Sequence, residues 1–307
     1  MLHENLKSAI FSGDSFTWGE GLDLYVDNDF WISQRNENNE WGNLQKKLTP
    51  ESEKFREENR FAGIVSNHFK CKSIVRDKNG GQFEYPIDFV ESILETNQVN
   101  NIKFLIFQLT GLERVNLHLM TGCDCDFCVN SDSDKPHFFL IKLLHKKLEN
   151  KSFTKKEKIA IKYLKDNFDI DFYKLLELNE DIFSSDLYTD FYSKYFYQNV
   201  EKFIKEYVNK WKTYFPVYFI DSWSPTSSKV LLSYPEIYDN TIPLLGGDGK
   251  YYKEWDVFMN TFEYQMIKDE FKKTNNFHPT LLQHKNVAKS IITYVENNYI
   301  ESKEKII

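Results

Sequence analysis

Apolar positions in the first third of the chain fall into short unbroken runs separated by longer amphipathic stretches. The run at 8–12, "SAIFS", is stopped by Gly13 and predicts a short buried strand. Thr49-Pro50 offers an N-cap with proline at the first helical position, so a helix is expected there, broken and resumed through "RFAGIVSNHF". "CKSIV" (71–75) predicts a second strand, ended by "RDKNGG", and 87–98 has helical spacing. "IKFLIFQLT" (102–110) predicts a third strand, apolar on both faces as in a covered parallel sheet. Strands alternating with helices indicate βαβ units and an α/β fold.

The middle of the chain changes period. From about 136 to 213 the signals are helical, including a capping box from Thr154 to Glu157. Aromatic residues over 187–211 recur at three- and four-residue spacing, which predicts an amphipathic helix whose stripe packs in a core. "PVYFIDSW" (216–223) returns to strand character, and "HKNVAKSIITYVENNYI" predicts a closing helix. The expected organisation is an α/β core in two parts, 1–116 and 212–307, interrupted by an all-helical insertion at 117–211.

Composition narrows the function. With 26 Phe and 18 Tyr among 307 residues, the core should be rich in aromatic rings. A net charge of −7 argues against a nucleic-acid partner, which needs a basic face. No apolar run approaches the roughly 18–20 residues of a membrane span. The first residues lack the pattern of a secretory signal, so a cytoplasmic protein is expected.

Two segments carry candidate chemistry. In "FSGDSFTWGEG" a serine follows the first strand in a glycine-flanked turn, at the strand end where open α/β sheets place ligands. Such a serine is expected to be exposed at the site, and it needs a base to become a nucleophile. His278, stiffened by Pro279 ahead of the closing helix, is the best-placed histidine. In "TGCDCDFC", Cys123, Cys125 and Cys128 stand near His118 and His137. Three thiolates and an imidazole, with His137 as fourth ligand, would make a structural zinc site; the alternatives are a loop of free thiols or a redox-labile pair. "GGDGK" (246–250) lacks the earlier glycine of a phosphate loop and reads as a turn.

The two serine and histidine segments together resemble the SGNH, or GDSL-type, hydrolases. "FSGDSFTWGEG" is similar to their first motif and "FHPTLLQHKNVAKSI" to their last, over about 8–115 and 214–298 of this chain. The resemblance implies a flavodoxin-like three-layer α/β/α sandwich with a mostly parallel sheet. It also implies Ser15 as nucleophile and His278 as base, with oxyanion donors at Ser15 and at Gly80, whose alternative is a plain tight turn with Gly81, and with Thr110 or Arg114 in the place of the family's third donor. Arg114, in "QLTGLER", then stands where it could meet an anionic substrate group or form a structural ion pair. Asn275 occupies the place of the family's aspartate, and the usual asparagine after the third strand is absent. His284 is expected to pack or cap the last helix.

The activity implied is cleavage of a carboxylic O-acyl ester on a small-molecule, carbohydrate or lipid substrate, with no cofactor needed for catalysis. Protein contacts would fall to the helical insertion. The alternatives are a catalytically impaired binding or scaffold protein of the same fold, favoured by Asn275, and an O-acyltransferase using the same site.

Overall fold

The computed structural model describes residues 7–19, 21–26, 49–76, 84–96, 99–110, 200–263 and 278–304, with isolated positions at 152–153, 158, 161–162, 165, 197 and 266–267. Four strands, β1 (Ser8–Ser12), β2 (Lys72–Val75), β3 (Ile102–Gln108) and β4 (Val217–Ile220), form one sheet in the order β2-β1-β3-β4. Every pairing in it is parallel. The expected strands at 102–110 and 216–223 are therefore shorter than their apolar runs, and residues 109–110 and 221–223 leave the sheet at its carboxyl edge.

The central strands are buried on both sides, so their alternating side chains feed two cores. Ile10, Leu105, Phe107, Val217 and Phe219 point into one; Ala9, Phe11, Phe104, Ile106 and Ile220 point into the other. Helices cover each side. The chain is thus an α/β protein with a mostly parallel sheet, as the run pattern predicts.

On the first face lie helix α4 (Glu84–Leu94) and helix α5 over 200–211, which has a π turn at Ile204–Val208. Phe107 sits among Trp211, Phe203 and Phe219, with ring centroids 5.3, 5.4 and 6.3 Å away. The Trp211 indole N–H donates to Glu91 Oε1 at 2.7 Å, tying α5 to α4. Most of the expected insertion, 117–211, lies outside the described residues; its last stretch, α5, packs on the sheet between β3 and β4. Of the aromatic positions read as a stripe over 187–211, Phe203 and Trp211 are buried in that core, Tyr207 is half-buried and Tyr197 is exposed; the others lie outside the described residues.

On the second face pack α3 (Phe61–His68), α8 (Trp255–Asn260) and the long α9 (Leu281–Glu304), with α2 (Pro50–Asn59) lying against α3, α9 and the turn at Leu22–Tyr25. Thr49 caps α2 by accepting from the Ser52 N–H, with Pro50 at the first position, as expected. Two short helices, α6 (Pro225–Leu231) and α7 (Pro235–Tyr238), each open on proline. A small antiparallel pair, β5 (Leu244–Leu245) and β6 (Tyr251–Tyr252), encloses the "GGDGK" turn. Among the described residues no helix is long and apolar enough to cross a membrane.

Phe107 is fully buried in the aromatic cluster on the first face. Phe107→Ala should therefore cost about 3–5 kcal/mol in a urea unfolding titration, the usual range for emptying a ring-sized core site. A loss below about 1 kcal/mol would mean that this cluster is not packed as described.

Candidate active site

The site begins where β1 ends. Ser12 pairs with Phe107, so the two strands leave the sheet side by side. A Cβ on Gly13 would lie 2.8 Å from Gln108 Cβ and closer still to Thr17 Oγ1, so only glycine fits this seam. The Arg76 guanidinium donates to the Gly13 carbonyl at 2.8 Å from the end of β2.

Asp14 then caps a single helical turn, α1 (Ser15–Trp18): its Oδ1 accepts from the Phe16 N–H at 3.0 Å. Gly19, at φ +85°, closes the turn, donating its N–H to Ser15 O at 3.0 Å. Thr17 Oγ1 donates to Gln108 Oε1 at 2.5 Å and pins the turn to β3. Ser15 is consequently the first residue of α1, where a backbone N–H has no intrahelical acceptor.

His278 arrives from the other end of the chain. Thr280 and Gln283 cap α9 reciprocally: the Thr280 N–H donates to Gln283 Oε1 at 2.8 Å, and the Gln283 N–H to Thr280 Oγ1 at 3.3 Å. The Leu281 N–H donates to the Tyr25 hydroxyl at 3.1 Å, anchoring the same end near α1. Two residues before that cap, His278 Nε2 lies 2.9 Å from Ser15 Oγ. The Phe16 ring and the imidazole meet at 5.1 Å in a T-shaped contact, their planes at 83°, and Trp255 stacks on Phe16 at 5.3 Å.

One expectation needs correcting. Ser15 is 7% exposed, not open to solvent, because the turn tucks its hydroxyl against the His278 ring.

Thr110 is buried two residues beyond β3, and its hydroxyl has no hydrogen-bond partner among the described residues; the same holds for the Gln108 amide nitrogen. His284 packs, as one of its two expected roles required. It is fully buried, stacked on Phe61 at 5.8 Å, and its Nδ1 accepts from the Phe61 N–H at 3.3 Å, joining α9 to α3. Gly80, Arg114, Asn275, Cys123, Cys125, Cys128, His118 and His137 lie outside the described residues.

The sequence reading missed the loop after β4. Asp221 there is fully buried and accepts from Ser228 Oγ at 2.6 Å and from the Trp255 N–H at 3.0 Å. Two residues on, the Trp223 indole N–H donates to Asp14 Oδ2 at 2.9 Å. The only sequence signal was the run "DSWSPTSSK", in which Ser224-Pro225 is a helix start that places Asp221 and Trp223 at the strand's exit.

Comparison with known proteins finds no matching family model, no matching curated protein and no matching solved structure.

Two buried groups near the site titrate in opposite senses. Burial, helped by the neighbouring His278 and Arg60, holds His284 down at about 3, from an ordinary 6.5. Burial pushes the Asp221 carboxyl up to about 7 from 3.8, against its hydrogen bonds from Ser228 and Trp255. As pH falls from 6.5 toward 3, unfolded His284 gains a proton that the folded form refuses, so stability is lost. Over about 3.8 to 7 folded Asp221 keeps a proton that the unfolded carboxyl releases, so stability is lost as pH rises. Each slope is at most about 1.4 kcal/mol per pH unit, and they oppose each other from about pH 4 to 6.5. Relative to wild type, Asp221→Asn should lose stability on acidification across that window, and His284→Gln should gain it. Urea titrations at a series of pH values read both signs directly.

Proposed function

We propose that this chain is an SGNH-type serine hydrolase that cleaves a carboxylic O-acyl ester. One observation carries the reading: Ser15 Oγ and His278 Nε2 stand 2.9 Å apart although 263 residues separate them in sequence. A nucleophile and a base within hydrogen-bond reach is the pairing that activates a serine. The strand order supports the same reading. The crevice between β1 and β3 is where the order reverses, and Ser15 follows the first of these strands. A parallel bridge from Phe219 to Thr241 adds a fifth position beyond β4, in keeping with a flavodoxin-like sandwich.

In the proposed cycle His278 Nε2 is unprotonated and accepts the Ser15 hydroxyl proton as Oγ bonds to the acyl carbon. The carbonyl π electrons move onto its oxygen, next to the Ser15 N–H at the head of α1. Collapse expels the alcohol, which leaves with the proton from His278. Water then attacks the acyl-enzyme, giving its proton to the same imidazole. The carboxylic acid departs, and Ser15 recovers its hydrogen. Gly80 and Thr110 are the further oxyanion donors in this proposal, and Asn275 is the residue beyond His278 that would orient the ring.

The substrate is proposed to be a small-molecule, carbohydrate or lipid ester, and the setting cytoplasmic. A zinc ion on Cys123, Cys125, Cys128 and His137 would serve the structure of the insertion and take no part in this chemistry.

The test is covalent labelling by a fluorophosphonate, which reports an activated serine without requiring the natural substrate. Wild type should label, Ser15→Ala should not, and His278→Ala should label about 10²-fold or more slowly, the usual worth of a general base. A folded wild type that stays unlabelled would overturn the hydrolase and transferase readings alike and favour a binding or scaffold protein.

A further inference from the structure

The loop after β4 reaches the nucleophile turn by two routes. The first is polar. Trp223 Nε1–H donates to Asp14 Oδ2 at 2.9 Å, while Asp14 Oδ1 receives the Phe16 N–H at 3.0 Å. The Asp14 side chain is thereby held across the head of α1, one residue from Ser15. The second route is aromatic. Asp221 accepts the Trp255 N–H at 3.0 Å, the Trp255 ring stacks on Phe16 at 5.3 Å, and Phe16 makes a T-shaped contact with His278. Asp221 also accepts from Ser228 Oγ at 2.6 Å, so the loop's root is fixed to α6 as well as to α8.

Asp14 is 1% exposed. A carboxylate this deep must be met by donors, because an ion without them is costly in a low-dielectric interior. It also lies beside the serine and histidine whose proton exchange is proposed above. A buried carboxylate that lost a donor would be drawn to another, and the Ser15 hydroxyl, on the adjoining residue, is a donor it could take. We propose that Trp223 is a positioning residue for Ser15: its indole N–H holds the Asp14 carboxylate in the capping geometry, so that the serine hydroxyl is left to His278. The inference rests on the hydrolase reading for its kinetic consequence and on the Trp223–Asp14 hydrogen bond alone for its structural one.

Trp223→Phe removes the donor and keeps a ring. With a fluorophosphonate probe, the labelling rate constant at saturation should fall about tenfold while the half-saturating concentration stays within twofold. In Asp14→Asn the amide oxygen can still accept from the Phe16 N–H, and no charge needs the indole. Adding Trp223→Phe to that background should therefore change the rate less than twofold. A purely structural tryptophan would cost the same in both backgrounds, and that result, or wild-type labelling by Trp223→Phe, overturns the proposal.

A second readout does not depend on labelling or on Trp223→Phe being folded. The assigned Trp223 indole N–H resonance of the wild-type residue should move upfield when Asp14→Asn removes the charged acceptor. If wild type labels with nothing, the hydrolase reading fails while this resonance still decides the tether. An indole signal indifferent to Asp14→Asn overturns it.

Discussion

The architecture depends on how closely two parallel strands run as they leave the sheet. Gly13 lies against Gln108 with no room for a methyl group, and Thr17 reaches across the same seam to the Gln108 amide. A side chain at position 13 would push the first turn of α1 away from β3. Because the strands are parallel, their carboxyl ends gather on one edge, and the loops after β1, β3 and β4 meet there. Arg76, from the end of β2, adds a fourth contact on the Gly13 carbonyl. The serine turn is thus a junction of four strand exits, and its shape is set by all of them.

The two cores serve this edge differently. The first face is an aromatic cluster around Phe107 that fixes the sheet against α4 and α5 and makes no described contact with the serine. The second face continues into the site: Trp255, Phe16 and His278 form a row of rings from the core to Ser15. His284, one turn into α9, holds that helix to α3 through Phe61, while Asp221 holds β4's exit to α8. Both buried groups favour their uncharged forms, as expected where charge would have little solvation.

Local signals in the sequence were enough for the four strands of the parallel sheet, where short apolar-rich runs end at turn residues, but not for β5 and β6, which are two residues each and have no run of their own. Proline and threonine marked α2 just as locally. Strand ends were less legible: Thr110 and Asp221 to Trp223 belong to apolar-looking runs but lie beyond the sheet, because pairing ends where a neighbour's backbone turns away. Ser15 and His278 could be singled out by their local turns, yet nothing local shows that they meet. Trp223 was passed over because a tryptophan near a strand is ordinarily core, and its hydrogen bond is to a residue 209 positions away. The reciprocal cap of Thr280 and Gln283 was present as a Thr-x-x-Gln pattern, a signal as plain as the one at 154–157.

The distance between serine and histidine along the chain has a consequence during synthesis. Domains emerge amino-terminus first, at about 5–20 residues per second. The 263 positions between Ser15 and His278 then correspond to roughly 13–50 seconds in which the serine exists without its histidine. A nascent chain, or one released early, carries the turn but not the pair. The contact between Ser15 and His278 forms only once the last helix has docked, so on the proposed reading reactivity at Ser15 would serve as a certificate that the whole fold has closed.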